Sequence, residues 1–111
     1  MKKTISNIAW NNNEDRNIIL LLKKYSFEGV EIAPTKVWKN PTSQSKDEIT
    51  AYRKFWENEG IKISSTQSIL FGHPELSIFE NSDGRRKTLS YIEKMIRVSA
   101  LLGAGVIVFG S

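Results

Sequence analysis

Five side chains pair a ligand-holding or proton-moving type with a place inside or just beyond a short apolar run: Glu31, His73, Trp10, Trp38 and Gln67. Glu31 lies in Gly29-Val30-Glu31-Ile32-Ala33, where Val30 and Ile32 alternate with it. If those two face covering helices, the carboxylate faces the other side of the sheet. There it must find a partner, because burial disfavours an unpaired charge. One use is to move a proton or hold a ligand. The other is an ion pair with Lys62, which stands at the matching place in Gly60-Ile61-Lys62-Ile63.

His73, the only histidine, sits between Gly72 and Pro74 after a third apolar run. It is either a proton-transfer or substrate group or an ordinary loop residue. With no second histidine or aspartate beside it, it makes no metal motif. Trp10 and Trp38 follow the ends of apolar runs, where an indole can stack on the apolar face of a sugar or simply fill the core. Gln67, with Ser65 and Ser111, can hydrogen-bond a hydroxylated ligand. Lys36 and Lys39 could meet a phosphate, although no glycine-rich phosphate loop accompanies them. Gly103-Ala104-Gly105 precedes a strand-like run rather than a helix, the wrong order for a nucleotide fingerprint.

The elements that would carry these groups follow a repeat. A helix-like stretch, a glycine and a β-branched run recur at Gly29, Gly60 and Gly105, as expected for βα units on a parallel sheet. The pattern predicts strands over 4–10, 29–33, 61–65 and 106–109. Helix one, capped by Asn13, would run to Tyr25 with Ile18, Leu21, Leu22 and Tyr25 on its buried face. Helix two opens at a Ser45/Glu48 capping box and buries Ile49, Tyr52 and Trp56. Helix three, capped by Asn81 or Ser82, carries the stripe Leu89, Ile92, Ile96 and Ala100 and closes at Gly103. Glycine just past a helix end takes the left-handed conformation that stops it. A flavodoxin-like or receiver-like domain fits poorly, because it needs a fifth strand and strand one here ends without an acidic cluster.

Composition narrows the rest. With 111 residues, one domain is the ceiling, below the roughly 250 residues of a complete βα barrel. The chain stops at the carboxyl end of its fourth strand, which leads us to expect a truncated domain. A net charge of +4 comes from scattered lysines and arginines interleaved with acids, so no nucleic-acid partner is expected. There is no cysteine, which excludes disulfides and thiolate metal sites. No apolar run approaches a membrane span or a signal peptide's core, so the expected location is the cytoplasm.

The run Phe27-Glu28-Gly29-Val30-Glu31-Ile32, the strand Gly60-Ile61-Lys62-Ile63-Ser64-Ser65 and the run from Ala100 to Gly110 resemble, in order, the amino-terminal half of the xylose-isomerase-like TIM-barrel superfamily. The resemblance implies the first half of a (β/α)8 barrel, with about four parallel strands and three helices. It implies an intact protein that isomerises or epimerises a sugar or sugar phosphate, with a divalent cation (Mn, Mg, Co or Zn) assisting proton transfer next to a carbonyl. Glu31 matches a recurring acidic position on the family's second strand, and some members place a histidine where His73 stands. The family's metal ligands lie mostly on strands five to eight, so none is assignable here. The acid–base pair itself is expected beyond Ser111. The competing reading is a non-catalytic half barrel that dimerises through its open strand edges. In either case a homo-oligomer is expected.

Overall fold

The computed structural model describes residues 3–67 and 82–108. Strands β1 (Thr4–Ser6), β2 (Gly29–Ile32), β3 (Lys62–Gln67) and β4 (Val106–Val108) form one sheet in the order β1-β2-β3-β4, every pair parallel. The connections carry helices α1 (Asp15–Lys24), α2 (Pro34–Val37), α3 (Lys46–Glu57) and α4 (Ser82–Leu101). A doubly wound sheet reverses its strand order at a switch point. This one never reverses, so its helices collect on one face and the sheet is an arc of a barrel.

Two in-register rows face the helices: Ile5, Val30 and Ile63, then Ile32, Thr66 and Ile107. They meet Ile19 and Leu22 of α1, Ile49 and Trp56 of α3, and Met95 and Val98 of α4 in a single core. Thr66 is fully buried in that layer because its hydroxyl meets the Ser99 hydroxyl at 2.8 Å, while Ser99 also donates to the Met95 carbonyl. A buried hydroxyl with two partners costs little. The row between them, Ser6, Glu31, Ser65 and Val106, looks the other way, into the concave face. Val106 and Val108 are exposed there, at 57% and 45%.

Several local expectations change. The first strand is three residues long, because the chain turns into a 3-10 helix at Asn7–Ala9. A second 3-10 turn precedes α1. Glu14, rather than Asn13, stands at the α1 N-cap without a side-chain cap, and its carboxylate instead accepts from the Asn11 N–H at 3.2 Å. Leu21 and Tyr25 are exposed, and α1 buries Ile19 beside the expected Leu22. On α4 the buried positions among the described residues are Thr88, Met95, Val98 and Ser99, with Leu102 just past its end, leaving Leu89 and Ile96 exposed. The α3 reading holds: the Ser45 side chain accepts from Glu48 N–H at 3.1 Å, and Ile49 and Trp56 are buried. α4 begins at Ser82, and Asn81 lies outside the described residues.

The repeated glycines do different jobs. Gly60 (φ +76°) and Gly103 (φ +79°) end helices in the left-handed region. Helix α1 is ended by Ser26 at φ +61°, and Gly29 belongs to β2. That difference moves the register. Gly29 lies opposite Lys62, Glu31 lies opposite Ser65, and a bulge at Ser64 separates the two pairings. Lys62 is therefore not the partner of Glu31. The ion pairs among the described residues are Lys23–Glu59 and Arg53–Glu57.

Candidate functional site

The carboxyl ends of β1, β2 and β3 bring three of the sequence candidates' elements together. Ser6 and Ser65 flank Glu31 in register on neighbouring strands. Glu31 is half-buried, between the fully buried Val30 and Ile32. Gln67, two residues beyond Ser65 and on the same face, donates through Nε2 to the Ser6 hydroxyl oxygen. The Ser65 hydroxyl is buried without a hydrogen-bond partner among the described residues. One carboxylate, two hydroxyls and a carboxamide thus share a concave polar patch, a donor and acceptor set suited to a polyhydroxylated molecule.

The two tryptophans sit behind this patch. Trp10 is buried, its ring centroid 6.3 Å from that of Trp56, and its indole N–H donates to Asp15 Oδ1 at 2.6 Å. Both its face and its polar edge are engaged by the protein. Trp38 is half-buried and meets Tyr52 edge-on at 5.3 Å, just after α2. Tyr52 in turn stacks tilted or edge-on with Phe55 and Trp56, so the aromatic residues form one cluster beneath the strand ends. His73 lies outside the described residues.

Three residues that the sequence reading passed over, together with Lys36, hold the mouth in shape. Asn7, 1% exposed, accepts through Oδ1 from the Ala33 N–H at 2.9 Å, tying the end of β1 to the end of β2. Asn12 Nδ2 donates to the Lys36 carbonyl at 2.7 Å, a second tie between the same loops. Lys36 sends its ammonium to the carbonyl oxygens of Asn7 and Trp10, so it is committed to the protein rather than free for a phosphate. Asp15 lies close enough to Lys36 to feel its charge. Burial pushes the Asp15 carboxyl up from 3.8, while the Trp10 hydrogen bond and the Lys36 charge oppose that rise. The Tyr52 phenol is also pushed up, chiefly by burial, with Trp56 and Asn7 opposing and Asp15 adding to it. A signal for Asn7 existed: asparagine is a turn-forming residue, out of place inside the first strand expected over 4–10.

Among the described residues no three histidines, cysteines or carboxylates cluster as a metal site. Glu31 is a single carboxylate, so the described residues do not fit a metal centre. No helix of the described residues is long and apolar enough to cross a membrane.

No protein-family model matches this sequence, and no curated protein does. Solved structures do. A crystal structure of D-psicose 3-epimerase in the presence of D-fructose superposes with a TM-score of 0.72 at 19% identity, over 98% of this chain and 37% of its own. The probable 3-DHS dehydratase AsbF of Bacillus anthracis, involved in petrobactin synthesis, superposes with a TM-score of 0.67 at 17% identity. That match covers all of this chain and 38% of AsbF. The chain thus spans well under half the length of either enzyme. The fold of this chain is that of a half barrel of the TIM-barrel type.

Proposed function

We propose that this chain builds the first half of the active site of an enzyme that isomerises or epimerises a sugar or sugar derivative. The observation that carries the reading is Glu31, a half-buried carboxylate on the concave face with Ser6 and Ser65 beside it in register. In this reading Glu31 takes a proton from the carbon next to a substrate carbonyl, or shares that work with a group from the other half of the barrel. Epimerisation and loss of water both begin by breaking such a C–H bond, which suits a fold shared with an epimerase and a dehydratase. Gln67 and the Ser65 hydroxyl would hold substrate hydroxyls, with His73 and Trp38 shaping the mouth. Trp10 would support it from behind. A divalent cation, which the fold family implies, would draw its ligands from outside the described residues.

Deuterium exchange tests this directly. The protein is incubated in heavy water with a panel of ketoses and aldoses, and mass spectrometry follows label entering the carbon next to the carbonyl. Exchange with at least one sugar, lost in Glu31→Gln, supports the reading. No exchange with any, or full exchange in Glu31→Gln, overturns it.

A second reading is favoured by Val106 and Val108, exposed on the inner face of the open strand β4. In it the half barrel is a non-catalytic unit that pairs with a second copy across its edges. Light scattering separates the two: a dimer without sugar exchange supports the second.

A further inference from the structure

The Lys36 ammonium meets two backbone carbonyls at once. It donates to the carbonyls of Asn7 and Trp10, which belong to the loop after β1, while Lys36 itself belongs to α2, after β2. Asp15, its carboxylate fixed by the Trp10 indole at 2.6 Å, adds a negative charge from beyond ion-pair contact. The same two loops are joined by Ala33 N–H to Asn7 Oδ1 and by Asn12 Nδ2 to the Lys36 carbonyl. The two carbonyl oxygens form an oxygen-lined cation seat, the sort of donor that a hard, compact cation selects. We propose that Asn7 O and Trp10 O constitute a site for a compact monovalent cation, which Lys36 fills from within the chain. Lys36 is then a positioning residue: it clamps the β1 loop to the β2 loop on either side of Ser6 and Glu31. This stands on the loop geometry and does not depend on the sugar-isomerase reading.

The site makes a chemical prediction that ordinary packing does not. Truncating the lysine leaves the oxygens in place, so a small ammonium ion supplied from solution can replace its head group. The experiment compares thermal unfolding of the wild-type chain and Lys36→Ala in methylammonium chloride and in tetramethylammonium chloride at matched ionic strength. Tetramethylammonium carries the same charge but has no N–H to donate. Lys36→Ala is expected to lose at least about tenfold in its folded-to-unfolded ratio. Methylammonium should recover part of that loss with saturation, tetramethylammonium should not, and the wild type should respond to neither. Equal effects of the two salts on the variant, or none, overturn the proposal. Should Lys36→Ala not fold, the wild type decides the matter by lysine acetylation followed by peptide mass spectrometry. Lys36 should react on the order of tenfold more slowly than the exposed Lys24 and Lys39. Equal reactivity overturns the assignment.

Discussion

Gln67 reaches over β2 to hydrogen-bond Ser6, although β1 and β3 are not neighbours in the sheet. Flat, these strands would lie about 9–10 Å apart. A glutamine and a serine can close that gap only because the sheet curves, so the contact is a direct expression of the barrel arc. It also lays a carboxamide across the row that holds Glu31. Gln67→Ala should therefore act at two levels. It should cost about 0.5–1.5 kcal/mol of stability, measured by urea unfolding, and Ser6→Ala should add little on top in a double-mutant cycle. In a sugar-exchange assay it should raise KM more than it lowers kcat.

Glu31 has no salt-bridge partner among the described residues, since Lys62 lies opposite Gly29 and Glu31 itself lies opposite Ser65. A carboxylate kept on a concave face without such a partner adds little to stability that a carboxamide would not. Glu31→Gln should thus leave the thermal midpoint unchanged or slightly raised while cutting exchange by about 10²–10⁴-fold, the usual contribution of a positioned acid or base. A marked fall in the midpoint would point instead to a structural carboxylate.

Gly60 and Gly103 look equivalent in sequence and in backbone angle, yet their surroundings separate them. A Cβ at Gly103 would fall 2.7 Å from Arg53 Cζ, whereas nothing lies within 4 Å of one at Gly60. Gly60→Ala bears only the left-handed strain, about 1 kcal/mol. Gly103→Ala must also displace the Arg53 guanidinium, which pairs with Glu57, and should cost about 2 kcal/mol. Parallel chemical denaturation of the two variants checks the order.

The parallel βα order, the capping box at Ser45 and the burial of Ile49 and Trp56 were legible because each rests on a local rule. Helix faces were less so. Residues 18–22 read Ile-Ile-Leu-Leu-Leu, an unbroken apolar run in which no periodicity selects a face. On α4 the true face runs through Thr88 and Ser99, whose burial depends on partners that hydropathy does not see, such as Thr66 on β3. The Glu31 and Gln67 positions follow from strand alternation. Asn7, Asp15 and Lys36 do not, because their roles arise from two loops meeting, a long-range event with no local pattern. The helix faces are open to test. Leu22→Ala should cost about 2–5 kcal/mol, and Leu21→Ala, at 51% exposure, should stay within about 0.5 kcal/mol.

Asp15 ties this loop geometry to pH. Burial raises its carboxyl above 3.8 despite the opposing Trp10 hydrogen bond and Lys36 charge. Between the unfolded value and the raised folded one, the native state holds more proton than the unfolded state. Stability from this group is therefore greatest at the acid end and falls as pH rises through that window, remaining low above it. Asp15→Asn abolishes the titration but keeps an oxygen for the Trp10 indole. The stability difference, wild type minus Asp15→Asn, should thus shrink as pH climbs from about 4 toward neutrality. Urea unfolding of both proteins across that range measures it. A difference that instead grows with pH would mean that attraction to Lys36 outweighs desolvation, and that the pair, rather than burial, sets the charge of this loop.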